Sequence, residues 1–297
     1  MTSNRYLAII NPVAKSGAAA RAEHAIQHQL GDLDVTYART ECPGHAALLA
    51  GQARNFDVVI AIGGDGTVHE VVEGLMQLDE PSRPAVAIIP YGSGNDTCRM
   101  IGLPIDPTTA IGRIKTNQQR TFDLGICNGS YFVNSFSVGI DAQTVVKTIE
   151  IKEATGRSGM LLYGQALLGI ILREMRPTLI EVTVEGETTR KETLLNAVTN
   201  GQTYGSGFRM NPTALPDDGT LTLSHIAWMP RHRVFVCIPR LLRATHPALN
   251  EYETREITHC RIASVDGQPL IAQMDGEVMR DATFDIKVDP QAIRFIV

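Results

Sequence analysis

Residues 56–75 read FDVVIAIGGDGTVHEVVEGL. The first seven, Phe56–Ile62, form the short apolar run that a buried strand requires. Gly63-Gly64-Asp65-Gly66-Thr67 follows at once, and Thr67–Leu78 then reads as a helix. Strand, glycine turn and helix in this order make a β-loop-α unit, and the same order recurs on both sides. Arg5–Asn11 is an apolar strand halted at Pro12, and the Ala-rich stretch Ala18–Leu30 is a helix. Asp34–Arg39 is a second strand, with Pro43 placed to open a helix through HAALLAGQA. Pro84–Ile89 is a fourth strand, again followed by glycines. Repeated units of this kind predict a parallel sheet with helices on both faces. Ligands of such sheets bind at the carboxyl ends of the strands.

The glycine turn carries chemistry as well as geometry. Backbone N–H groups beside a helix N-terminus make an anion site, and phosphate is its natural occupant. Thr67 has the chemistry to cap the helix, and Glu70 three residues later would complete a capping box. The second turn, Pro90-Tyr91-Gly92-Ser93-Gly94-Asn95-Asp96, follows the fourth strand at the same edge, so the two together predict a cradle. The turn Asn11–Gly17 belongs to that edge too, and Thr40 would add a hydroxyl. Other nucleotide signatures are absent: no GxxxxGK[ST], no GxGxxG after the first strand, no protein-kinase motifs.

The second half changes character near Arg120–Asn128. Tyr131–Val138, Thr178–Glu185, Leu194–Thr199, Leu221–Ile226, Arg261–Val265 and Thr283–Val288 are short, β-branched runs separated by Gly, Asp and Pro. That is an antiparallel pattern, interrupted by a helix-like block at Gly159–Met175 and an apolar block at Val234–Leu242. Two acidic turns stand out. Leu215-Pro216-Asp217-Asp218-Gly219 is either a plain turn or a set of hard oxygen donors suited to Mg²⁺. Asp275-Gly276-Glu277 is either a hairpin turn or the seat of a general base, with the glycine admitting a substrate.

Composition narrows the function. Hydrophobic residues make up 43% and charged residues 20%, as in a globular protein rather than a disordered one. With 27 Lys+Arg against 32 Asp+Glu the net charge is −5, which argues against nucleic-acid binding through bulk charge. Five scattered cysteines without a CxxC pair predict neither a disulfide framework nor a zinc site, and suggest a reducing cytosol. The N-terminus reads as a strand rather than a signal peptide. The apolar stretch Ser158–Leu172 falls short of the roughly 20 residues a spanning helix needs.

Gly63–Leu75 (GGDGTVHEVVEGL), Pro90–Asp96 (PYGSGND), Asn200–Leu221 (NGQTYGSGFRMNPTALPDDGTL) and Met274–Glu277 (MDGE) together resemble the diacylglycerol kinase catalytic-domain family. That family includes bacterial soluble lipid kinases and the sphingosine and ceramide kinases. The motifs stand in the family's order over nearly the whole chain. The resemblance implies an α/β nucleotide domain at 1–127, rejoined by a last strand at about 290–297, and a β-sandwich lipid-substrate domain at 128–289. The active site would lie in the cleft between them. It implies ATP held by Asn11, Thr40, the run Gly63, Gly64, Asp65, Gly66, Thr67, Val68, His69 and Glu70, and the second turn through Gly92, Ser93, Asn95 and Asp96. Asp65, Asp275 and Glu277 would be the catalytic acids, with the base at 275 or 277. A structural Mg²⁺ would sit on Asp218 and the carbonyls of Leu215 and Thr220. The implied activity is transfer of the ATP γ-phosphate to a lipid hydroxyl such as that of diacylglycerol, by a cytoplasmic protein transiently at the inner face of the membrane. The partner is a lipid at a membrane surface, without nucleic acid, and a homodimer stays open. Arg231, Arg233, Arg240 and Arg243 with the apolar residues between them, and Ser158–Leu172 with Arg157, Arg173 and Arg176 at its ends, are the candidate membrane contacts. Two alternatives compete. An NAD kinase-like enzyme shares the Gly-Gly-Asp-Gly-Thr turn, and a non-catalytic nucleotide-sensing module could keep the fold. The first loop departs from the family's shorter Asn-Pro-x-Ser-Gly, reading Asn11-Pro12-Val13-Ala14-Lys15-Ser16-Gly17, and Ser93 replaces a threonine while keeping the hydroxyl.

Overall fold

The computed structural model describes residues 4–156, 160–205 and 207–297. It has two compact units: the chain up to Phe122 together with Gln291–Val297, and Asp123–Pro290.

In the first unit, β1 (Arg5–Ile10) leads to α1 (Ala14–Gln29), β2 (Asp34–Arg39), α2 (His45–Gly51), β3 (Val58–Gly63), α3 (Asp65–Leu75), β4 (Ala85–Pro90), α4 (Asp96–Met100) and α5 (Pro107–Thr116). The four strands pair in parallel in the order β2-β1-β3-β4. Every residue of β3 and β4 is buried, as expected when helices cover both faces of a parallel sheet. β2 alternates exposed and half-buried residues because it lies at the edge. Ile10, Ile60, Ile62 and Ile89 are completely buried in one apolar cluster, and each contributes about 1.5–3 kcal/mol of transfer free energy. The C-terminal residues close this unit, with Phe295 pairing in parallel with Val86 and its ring 5.7 Å from that of Phe122.

Three local expectations need correction. The helix after the glycine turn begins at Asp65, with Gly64 as its N-cap, so Thr67 and Glu70 form no capping box. The α2 helix opens at His45 behind Gly44, two residues later than Pro43 suggests. The helical run of α1 is broken near its start, because Lys15, Ser16 and Gly17 all take left-handed φ values of 47°, 55° and 81°.

The second unit is antiparallel. It contains the end of β5 (Gln119–Cys127), then β6 (Ser130–Phe132), β7 (Ser135–Gly139), α6 (Ile140–Thr155), α7 (Met160–Gly169), a π-helical turn at Ile170–Glu174, β8 (Thr178–Val184), β9 (Glu187–Thr199), β10 (Leu221–Ala227), α8 (Arg231–Leu242), β11 (Tyr252–Ile257), β12 (His259–Ser264), β13 (Leu270–Met274), β14 (Glu277–Asp281) and β15 (Thr283–Ile296) up to Pro290. The long β9 pairs with β8 through its first half and with both β7 and β10 through its second, so one strand serves two layers. The sandwich core gathers Phe132, Phe136, Val198, Ile262, Phe284 and Ile286, with the Phe136 and Phe284 rings 5.0 Å apart. A second cluster joins α8 to the π-helical turn through Val234, Cys237, Leu241, Ile170 and Ile171. The run Tyr131–Val138 is two strands rather than one. Val133 and Asn134 turn their N–H groups to a side chain instead of a ladder.

His225 lies on β10 opposite Asn196 of β9 and Glu253 of β11, at a cavity of about 110 Å³ also lined by Lys191. Burial, reinforced by Lys191 and opposed by Glu253, pushes its imidazole down to about 4. The folded protein therefore keeps His225 neutral where the unfolded chain, titrating near 6.5, already binds a proton. Unfolding takes up a proton in that window, so this residue's stabilisation is lost as pH falls from about 6.5 toward 4. His225→Gln should lose less stability than the wild type between pH 7 and pH 4.5, measured by urea midpoints. Parallel loss in both proteins would exclude His225 as a source of acid sensitivity.

Candidate active site

The carboxyl ends of the four parallel strands gather the first group of residues. The chain leaves β1 toward β2 on one side and returns to β3 on the other, so the β1/β3 boundary is the switch point where open α/β sheets bind ligands. Asn11 and Thr67 bridge that boundary, the Asn11 Nδ2 donating to Thr67 Oγ1 at 3.0 Å. Gly63 is closed over by Thr67, whose Oγ1 lies 2.3 Å from where a Cβ on residue 63 would stand. The two glycine turns touch backbone to backbone. A Cβ on Gly64 would fall 2.8 Å from the Gly92 Cα, and one on Gly92 only 2.6 Å from the Gly64 Cα. The Tyr91 N–H donates to the Gly63 carbonyl at 2.7 Å, and the Asn95 side chain accepts from the Gly92 N–H at 2.9 Å. Side chains at 64 or 92 would force these turns apart.

Asp65 is held by the backbone just beyond the second turn. Its Oδ1 accepts from the Thr97 N–H at 2.9 Å, tying the first turn of α3 to the first turn of α4. Its charge also lies close to Cys98, whose buried thiol is pushed up to about 12 by burial and then by Asp65. Glu70 likewise accepts from the Ala46 N–H at 3.0 Å at the start of α2. Val68 and His69 are buried. These three therefore offer a ligand at most their backbone. Asp96 is buried and paired with Arg99 at 3.0 Å. Exposed at the edge are Gly66 and the Ser93 side chain, with Thr40 half-buried and its N–H bonded to the Ile10 carbonyl at 2.9 Å. The arrangement suits an anion held by backbone N–H groups near the α3 N-terminus.

In the second unit, Asp275 and Gly276 form the two-residue loop between β13 and β14, with φ values of 48° and 92°. Both are left-handed, as the commonest tight hairpin turn demands. So Asp275-Gly276-Glu277 is a hairpin turn, and more than that. The Asp275 carboxylate accepts from the N–H groups of Val133 at 2.6 Å, Asn134 at 3.0 Å and Ser135 at 2.9 Å. Its oxygens are engaged by backbone donors, whereas Glu277 is exposed at the mouth of the same hairpin.

The acidic loop before β10 is held from below. The buried Asp123 carboxylate accepts from the Gly219 N–H at 2.7 Å, and the Asp123 N–H donates to the Pro216 carbonyl at 2.8 Å. Asp218 is exposed, with Oδ1 accepting from the Thr220 N–H at 3.0 Å and the Thr220 hydroxyl at 2.9 Å. The described residues contain no group of three His, Cys, Asp or Glu side chains placed to hold a metal. What the loop offers is the exposed carboxylates of Asp217 and Asp218 and its own backbone carbonyls. That donor set fits Mg²⁺, which keeps several of its own waters, better than a metal needing an all-protein shell.

Two family descriptions tile this architecture: "Diacylglycerol kinase catalytic domain" matches residues 5–127 and "YegS C-terminal NAD kinase beta sandwich-like domain" matches residues 134–297. The Bacillus subtilis protein named "Diacylglycerol kinase" is 34% identical over 224 residues, 72% of this chain and 71% of its own. The chain belongs to the diacylglycerol kinase family of lipid kinases. A Pseudomonas aeruginosa relative named "Probable lipid kinase YegS-like" aligns over 99% of this chain and 94% of its own at 26% identity. The fold also matches a crystal structure of a diacylglycerol kinase from Bacillus anthracis, with a TM-score of 0.74 at 20% identity over 100% of this chain and 97% of that one.

In this lipid kinase relative, the two apolar segments singled out in the sequence are half core and half surface. No helix among the described residues is long and apolar enough to cross a membrane. Leu162 and Ala166 of α7 are buried, whereas Leu161 is 86% exposed and Leu168 and Leu172 about half exposed. On α8, Val234, Cys237 and Leu241 face the core, and Phe235, Val236 and Leu242 are exposed. Of the arginines on and just after α8, Arg233 pairs with Glu251 at 2.7 Å, and Arg231 and Arg243 are exposed. Arg157, Ser158 and Gly159 lie outside the described residues.

Several residues that organise the site escape a reading of motifs. Asp123 and Asp141 are single acids inside apolar runs, FDLGIC and VGIDA, and both are buried. An acid in an apolar run is the signal that would find them, because burial without a partner is costly.

Proposed function

We propose that this protein is an ATP-dependent lipid kinase that transfers the γ-phosphate to the hydroxyl of a lipid such as diacylglycerol. The observation that carries the reading is the pair of glycine turns in backbone contact at the sheet's switch point, locked together by Asp65. Phosphoryl transfer needs chiefly positioning, charge stabilisation and a group to take the acceptor's proton. Backbone N–H groups of Gly64–Thr67 and the Gly92–Asn95 turn supply the first two for the ATP phosphates, with Asn11, Thr40 and Ser93 adding polar side chains. The acceptor oxygen forms a bond to the γ-phosphorus as the bond to the leaving ADP oxygen breaks. Glu277 takes the proton of the hydroxyl, and Asp275 holds the turn that carries it. Asp218 with the carbonyls of Leu215 and Thr220 would hold a structural Mg²⁺, which when bound would brace the 215–220 loop. Incubation with ATP and a panel of diacylglycerol, monoacylglycerol, ceramide-like and phosphatidylglycerol-like lipids, read by product mass, tests the reading. A phosphorylated lipid supports it. Phosphorylation of NAD, or ATP turnover indifferent to lipid, overturns it.

The acceptor resides in a bilayer, so the reading includes peripheral membrane contact through the outer faces of α7 and α8. Their exposed leucines and Phe235 would enter the headgroup layer beside Arg231, Arg240 and Arg243. With a net charge of −5 the attraction must be local, and salt should screen it. Changing Arg231, Arg233, Arg240 and Arg243 to Gln should reduce co-sedimentation with anionic liposomes at low salt by about tenfold or more, given roughly 1 kcal/mol per basic residue near the surface. Equal binding by that variant, or no preference for anionic over neutral liposomes, would exclude this face.

A further inference from the structure

The hairpin that carries Glu277 is held from two directions. From one side, Asp275 grips the backbone of residues 133–135. That grip fixes residue 275 but leaves open the orientation of the next peptide, since Gly276 carries no side chain to lodge it. The Gly276 N–H is instead taken by a side chain. Gln273, only 2% exposed, accepts it through Oε1 at 2.8 Å. The other end of the same amide is equally committed. Gln273 Nε2 donates to the Ser137 hydroxyl at 3.1 Å and to the carboxyl group of Asp141. Asp141, at the start of α6, receives the Ser137 hydroxyl at 2.6 Å and the hydroxyl of Tyr163 from α7. Burial pushes the Asp141 carboxyl above the usual carboxylate range, and the three neutral donors oppose that shift.

We infer that Gln273 is a positioning residue for the acceptor-side turn, anchored through Ser137 and Asp141 to Tyr163 of α7. The inference rests on Glu277 acting as the base, but its geometry stands apart from that role. A buried polar network gains little net stability over apolar packing of the same shape, since its bonds replace equally good bonds to water. What it confers is orientation. An amide has one acceptor end and one donor end, and here each is matched by a partner of the opposite kind. The Asp275–Gly276 peptide can therefore turn only by breaking the Gln273 bond, and the Glu277 carboxylate, on the next residue, follows that peptide. Displacements of about 1 Å at a reacting group cost on the order of 10²-fold in rate.

Two variants and two readouts test this. Gln273→Met keeps an unbranched side chain of similar size and removes both hydrogen-bonding ends. Gln273→Glu keeps an oxygen to accept from Gly276. Hydrogen exchange of the 274–279 segment should quicken about tenfold in Gln273→Met and stay near the wild-type rate in Gln273→Glu. With lipid and ATP, Gln273→Met should lose about tenfold or more in kcat while its KM for ATP holds. Unchanged exchange in a folded Gln273→Met protein overturns the inference, as does a fall in thermal stability with kcat intact. Should that variant not fold, Gln273→Glu decides: retained protection of the turn supports the inference and lost protection overturns it. If the wild type itself phosphorylates no lipid, the functional reading fails, and the exchange measurement still judges the role of Gln273.

Discussion

Asp65→Ala should yield a folded protein whose phosphoryl transfer has dropped by about 10²-fold or more. Like charges would oppose direct contact between this carboxylate and a phosphate. It accepts instead from the Thr97 N–H, so that α3 and α4 begin at a set distance. The glycine turns preceding those helices are the ones in contact at Gly64 and Gly92. Without Asp65 one amide at the start of α4 loses its partner, at a cost of about 0.5–2 kcal/mol for a lost cap. A unit with this much buried strand absorbs such a loss. The cradle does not, because Gly92–Asn95 is then free to drift from Gly64–Thr67. Circular dichroism and thermal melting should report a folded protein, and the KM for ATP should rise along with the fall in kcat. Wild-type turnover in a folded Asp65→Ala protein would remove Asp65 from the machinery.

The second large effect separates two neighbouring acids. Glu277→Gln should lower kcat by about 10²–10⁴-fold, the usual worth of a general base, with little change in the apparent affinity for ATP. Its melting temperature should hold, since the side chain is exposed. Asp275→Asn should behave differently. The amide it introduces would set an NH₂ against N–H groups of residues 133–135, where three donors now converge on one carboxylate. An unpaired buried donor costs about 1–3 kcal/mol, so this variant should lose thermal stability together with activity. If Asp275→Asn melts normally and loses kcat alone, while Glu277→Gln keeps it, the base is Asp275 and the roles assigned here are reversed.

Much of the fold was legible in residue order. The runs Arg5–Asn11 and Phe56–Ile62 announce buried parallel strands because a sheet covered on both faces needs no polar alternation. The β-branched runs after Arg120 announce an antiparallel half. Elements with weaker local signals were not legible. The α6 helix, Ile140–Thr155, has polar and apolar residues distributed with little periodicity, and β13–β14 is masked by its own turn chemistry. The capping box at Thr67 and Glu70 satisfied every local requirement. Tertiary structure overrode it, giving Thr67 to Asn11 and Glu70 to Ala46.

The sequence by itself determined that the glycine turns stand between strand and helix, because such a turn is a local device. Its N–H groups are displayed by backbone conformation, and backbone conformation follows from the residues in the turn. What only the tertiary structure decided is which donors each acid holds. Asp65, Glu70, Asp123, Asp141, Asp275 and Glu277 look alike in a string of letters. A carboxylate's role depends on which donors reach its oxygens, and those donors come from far along the chain. Val133 finds Asp275 across 142 positions, and Gly219 finds Asp123 across 96. Asp65 is held by Thr97, Glu70 by Ala46 and Asp141 by Ser137, while the Glu277 side chain lies exposed beside its hairpin turn.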